Sequence, residues 1–187
     1  MLKFRKYCSA KRNLMKELFE KMLTGGHPNS LGRTVEVVEI VLADRERLGE
    51  LYACYQSDDE VVRLRTSNAL KRISREKPQW LVPLLDGFLR EIADLDQASA
   101  QWTLADLFET LAPLMTPTQR QQAEAVLKRN LAHHHDWIVL NQTMKTLGAW
   151  AKADPALKHW LVPHLERLSG DGRKSVAKTA AKTLKNL

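Results

Sequence analysis

The chain has 187 residues, 44% hydrophobic and 27% charged, which suffices for one domain with a sizeable apolar core. Its apolar runs are only a few residues long, which excludes a membrane-spanning helix and integral membrane association. Residues 1–23 are basic but lack an apolar h-region, which excludes a secretory signal. Cys8 and Cys54 have no metal or redox spacing and suit reduced thiols in a cytoplasm. The net charge of +7 is uneven. Lys3, Arg5, Lys6, Lys11, Arg12, Lys16 and Lys21 face only Glu17 and Glu20, and residues 173–187 hold five basic residues and no acid. The middle is therefore mildly acidic, unlike a uniform nucleic-acid-binding coat.

In chain order, residues 1–43 read as a helical pair or cap. Phe4, Tyr7, Leu14, Leu18 and Phe19 alternate with the charges of a docked amphipathic helix, and a Gly25-Gly26-His27-Pro28-Asn29-Ser30 loop follows. From about residue 44 the pattern becomes repetitive. Val62, Ala69, Leu70 and Ile73 share a helical stripe. The stripe returns 38 residues later as Ala100, Leu107, Phe108 and Leu111, then after 39 as Val139, Thr146, Leu147 and Trp150. After 37 more it is Val176, Thr183, Leu184 and Leu187. A second signal lies in the other helix of each pair, where WLVPLLD at 80–86 recurs as WLVPHLE at 160–166. Between helices, Asp58-Asp59, Thr116-Pro117 and Asp154-Pro155 read as helix starts, Thr116 with Gln119 as a capping box. No segment of any length alternates with period two, so strands are not expected.

The run DEVVRLRTSNALKRI at 59–73 resembles the second helix of HEAT repeats, Asp-x-x-Val-Arg-x-x-Ala-x-x-Ala-Leu-x-x-Leu. Residues 173–187 are similar to it as well. In the third helix, Leu140 stands in the Arg position. Residues 29–39 (NSLGRTVEVVE) are also similar to small bacterial HEAT-repeat proteins. The resemblance implies a single all-α domain over residues 1–187, a right-handed α-solenoid of HEAT-like helical hairpins with about four repeats in 44–187. Residues 1–43 would be a cap or degenerate repeat. An architecture of this kind does not by itself fix a function.

In such a stack the side of each second helix opposite its core stripe lines a concave surface. At 100° per residue that side carries Leu64, Asn68, Lys71 and Arg75, then Trp102, Asp106, Glu109 and Pro113. It continues with Asn141, Lys145, Gly148 and Lys152, and ends with Lys178, Lys182 and Lys185. Trp102 is either a wedge between neighbouring helices or a binding anchor. Trp102 and Asp106, one turn apart, are similar to the Trp-x-x-x-Asp of HEAT-like alkylpurine DNA glycosylases. That resemblance implies an Asp acting on a damaged base, with Lys145 as a phosphate contact. The second aromatic of that family has no equivalent on this face, because Trp150 falls on the core stripe.

Other chemistry is weakly signalled. His133, His134 and His135 read as a solvated loop, because consecutive side chains diverge and no i, i+4 ligand joins them. His159 and His164 read as surface residues. There is no serine elbow, no activated cysteine and no phosphate-cradling glycine loop. No catalytic residue, metal site or cofactor is therefore expected. Arg173, Lys174, Lys178, Lys182 and Lys185 can meet phosphate without reading sequence, or can form the polar outer face of a terminal repeat. The leading expectation is a non-enzymatic scaffold or adaptor that binds a protein partner at Asn68, Lys71, Arg75, Trp102, Asp106, Asn141 and Lys145. Nucleic-acid binding through the basic ends is the alternative.

Overall fold

The computed structural model describes residues 17–27 and 29–187, and within them all regular structure is helical. The N-terminal basic run and Cys8 lie outside the described residues. The helices are α1 (Phe19–Leu23), α2 (Thr34–Ala43), α3 (Leu48–Ala53), α4 (Glu60–Glu76), α5 (Leu85–Gly87), α6 (Ala98–Leu111), α7 (Pro117–His133), α8 (Trp137–Ala151), α9 (Pro155–Ser169) and α10 (Lys174–Lys185).

The predicted starts form as their residue types dictate. The carboxylate of Asp59 accepts from Val61 N–H at the start of α4, and that of Asp154 from Ala156 and Leu157 N–H at the start of α9. Thr116 and Gln119 make the reciprocal capping box of α7. Asp136 caps α8 through Ile138 and Val139 N–H. Helix α4 stops at Lys77 because Pro78 follows and disfavours helical geometry in the residue before it.

Helices α2, α4, α6, α8 and α10 form a row in which each packs on the next. Helix α3, the segment 78–92, α7 and α9 each pack against helices of this row. The core stripe is buried where it is expected: Val62, Ala69, Leu70, Ile73, Ala100, Leu107, Phe108, Leu111, Val139 and Leu147 are inaccessible. In α10 the stripe relaxes. Val176 is buried, while Thr183, Leu184 and Leu187 are only half-buried, since no further described helix covers that flank. Phe19, Met22 and Leu23 of α1 belong to the same connected core as Ala180 of α10. Burying such a stripe is worth about 1.5–3 kcal/mol per large aliphatic side chain.

The two related heptapeptides have matching surroundings. Positions 80–86 and 160–166 share one burial order: half-buried Trp, buried Leu, half-buried Val, exposed Pro, a half-buried residue, buried Leu, exposed acid. Each Trp also lies under a cation from the preceding unit, Arg45 over Trp80 at 5.6 Å and Lys128 over Trp160 at 5.0 Å. The backbones differ nonetheless. Pro163 sits inside a continuous α-helix, whereas Pro83 sits in a 3-10 stretch, Pro78–Leu84, followed by one α turn and a π turn, Phe88–Ile92.

Two buried polar side chains hold the irregular segments to the row. Arg65 is 2% exposed and donates to the carbonyls of Leu23 (2.5 Å), Gly25 (2.6 Å) and Ser30 (3.2 Å), fixing the glycine loop against α4. Gln101, also buried, donates to Ile92, Ala93 and Leu95 carbonyls at the end of the π turn and accepts from Asn130 of α7. Gln101 stands 38 residues after Arg63, the position matched to the HEAT arginine. Arg63 does the same work, donating to Ser57 carbonyl at 2.6 Å and to Gln97 Oε1 at 2.5 Å.

Candidate functional site

The positions opposite the core stripe are more open than the stripe. Leu64, Asn68, Lys71, Trp102 and Asp106 are half-buried, and Arg75, Glu109, Lys145, Lys152, Lys178, Lys182 and Lys185 are exposed. Asn141 is different: at 9% exposure it is buried within the row and does not offer its side chain to a ligand. Its Oδ1 has no hydrogen-bond partner. Gly148 is also buried, because the methyl of Thr183 occupies the space a Cβ would need, and this contact draws α8 and α10 together.

Along the face, charge is paired first and then left open. Arg75 of α4 reaches Asp106 of α6 at 3.4 Å, and Gln142 of α8 donates to the other oxygen of Asp106 at 3.5 Å. Burial draws the Lys71 ammonium below its ordinary value, and the nearby Asp106 carboxylate opposes that shift. Asp106 is thus a tie among three helices. Thr146 of α8 adds another, donating to the Ala105 carbonyl at 3.0 Å and to Glu109 at 3.4 Å.

Between α8 and α10 the face opens into a groove of about 410 Å³. Lys145 and Lys152 stand on one wall, Lys178 and Lys182 on the other, with Thr179 and Asn186 beside them. No acidic and no aromatic side chain lines it. The spacing that makes this groove is readable afterwards: Lys145 and Lys152 are seven residues apart, Lys178 and Lys182 four, so each pair lies along one helix face. The sequence placed these four on one surface, but as members of separate groups. The structure joins them.

The C-terminal basic run accordingly divides. Lys178 and Lys182 line the groove, whereas Lys174 and Lys185 are exposed outside it. Arg173 is tied back: its guanidinium contacts Asp171 at 2.7 Å and donates to His135 carbonyl at 2.5 Å. The guanidinium and backbone N–H of Arg173 hold the Asp171 carboxyl pKa down to about 2.

The histidines have structural surroundings. His134 Nδ1 accepts from Asp136 N–H at 3.0 Å, and burial lowers the His134 pKa against the opposing charge of Asp136. His164 stacks on Trp160 with centroids 4.2 Å apart. Among the described residues no three His, Cys, Asp or Glu side chains are grouped to hold a metal ion. Cys54 is buried, and burial pushes its thiol up to about 11, which makes it a poor nucleophile. No described helix is long and apolar enough to cross a membrane. Compared with protein-family models, curated proteins and solved structures, the chain matches none.

Proposed function

We propose that the chain is a non-catalytic, right-handed α-solenoid of HEAT-like hairpins that acts as a scaffold, binding a protein partner on a concave face formed by α4, α6, α8 and α10. The observation that carries this reading is the unbroken row, in which one helix side is sealed into a shared core while the opposite side keeps Trp102, Arg75, Lys145 and Lys178 accessible. Stacked repeats present extended surfaces of this kind without catalytic machinery. Trp102 is the proposed anchor, being a half-buried Trp between charged neighbours. Helices α1 and α2 belong to the proposed cap or degenerate repeat of residues 1–43, a reading supported by the packing of α2 on α4 and of Phe19, Met22 and Leu23 in the shared core.

Nucleic-acid binding is the second reading, favoured by the acid-free lysines between α8 and α10. Its glycosylase branch fits less well, because the Asp106 carboxylate is engaged by Arg75 and Gln142. Affinity capture with wild type, Trp102→Ala and the α7 control Gln121→Ala tests the scaffold. Capture of a specific partner lost in Trp102→Ala and kept in Gln121→Ala is expected. A partner kept equally by all three overturns the anchor. Base release from alkylated DNA by wild type, abolished in Asp106→Asn, would overturn the non-catalytic assignment.

A further inference from the structure

We propose that the groove between α8 and α10 is an anion site that takes an acidic segment of a partner protein, with carboxylate side chains set among Lys145, Lys152, Lys178 and Lys182. The proposal rests on the scaffold reading and names the chemistry of its partner.

Four lysine side chains line a groove of about 410 Å³, within the size range of sites for compact ligands and short segments. Further along the row, two basic side chains share an acid. Arg75 has Asp106 across the interface, and Lys71 has the same carboxylate nearby. In the groove no carboxylate shares the lining, so the site presents concentrated positive charge that an acidic ligand would complete. The site is also built by packing: Gly148 admits Thr183 against α8, which sets the separation of the two lysine walls. Thr179 and Asn186 add neutral polar groups for the ligand's backbone.

Two features favour an acidic protein segment over a nucleic-acid strand. No aromatic side chain lines the groove, so bases would have nothing to stack on. The next helix of the row, α6, carries no lysine or arginine and presents the exposed Glu109, so a long polyanion following the face would leave the lysines there. A short acidic stretch entering only at α8 and α10 stays among them.

Fluorescence anisotropy with a fluorescein-labelled decaglutamate peptide at low salt tests the proposal. Wild type is compared with Lys145→Gln/Lys182→Gln, and with Lys174→Gln/Lys185→Gln, which removes equal charge outside the groove. All four side chains are exposed, and a thermal melt of each double variant checks its fold. The groove variant should bind about 10-fold more weakly, the charge-matched control within about 2-fold of wild type. Binding should also fall as salt rises. No binding by wild type, or equal losses in both variants, overturns the site. A ten-nucleotide thymidine oligomer that binds more tightly than the peptide, and depends on the same two lysines, overturns the protein occupant in favour of nucleic acid. A Trp102-dependent partner that survives Lys145→Gln/Lys182→Gln removes the groove while leaving the scaffold standing.

Discussion

Arg65 shows how much one side chain can fix. It carries a charge into a nearly inaccessible position and balances it with loop carbonyls, at distances from 2.5 Å. Arg65→Met fills similar volume but removes every donor, so several carbonyls lose their partners. The expected cost is about 2–4 kcal/mol in urea denaturation. Gly32 lies against the same guanidinium, with φ +51° and only 2.8 Å between a built Cβ and Arg65 Cζ. Gly32→Ala should therefore destabilise by about 1–3 kcal/mol. The two substitutions should be non-additive, because Arg65→Met takes away the guanidinium that the new methyl of Gly32→Ala would meet. Additive effects would show that the loop does not depend on the arginine. Neither residue stood out in the sequence. A buried arginine looks like any surface arginine when its partners lie 35–42 residues away.

At the scale of elements, what local chemistry specifies was legible. Asp59, Thr116 and Asp154 announce their helices by residue type, and the core stripe announces itself by spacing. Asp136→Ala, which removes the acceptor of two N–H groups, should cost about 1 kcal/mol of stability, read by the same denaturation. The breakdown of regular α-helix in 78–92 was not legible, since α9 carries nearly the same heptapeptide with its helix intact. The difference is tertiary. The Tyr52 hydroxyl occupies the space beside Gly87, and Gln101 and Arg129 take carbonyls from the end of the turn. The loop between α7 and α8, with His164 of α9, adds a pH dependence. His134 and His164 both have folded pKa values lowered by burial, so the folded state favours their neutral forms. Their stabilisation is present above the ordinary histidine value of about 6.5 and is lost as pH falls through the lowered folded values. Urea midpoints should drop between pH 7 and 5, and His134→Asn/His164→Gln should flatten that slope. An unchanged slope would place the titration elsewhere.

Across the whole molecule, the repeat was legible because the same stripe returns every 37–39 residues, and the packed row follows that order. The groove was only half legible. Its lysines belong to two helices 37 residues apart in register, and only the Gly148–Thr183 contact shows how closely those helices approach. The row also predicts uneven stability. Helix α10 leaves Thr183, Leu184 and Leu187 half-buried, so its amides should exchange with deuterium faster than those of α6 and α8, which are packed on both flanks. Uniform protection from α6 through α10 would contradict that ordering.

Site-specific photocrosslinking shows whether one face of the row receives a partner. A photoreactive residue is placed in turn at Asn68, Trp102, Lys145 and Lys178 on the row, and at Gln121 and Glu166 on α7 and α9. Crosslinks to a common partner are expected from Lys145, Lys178 and at least one position on α4 or α6, and none from α7 or α9. Crosslinks confined to Gln121 and Glu166 would contradict that placement.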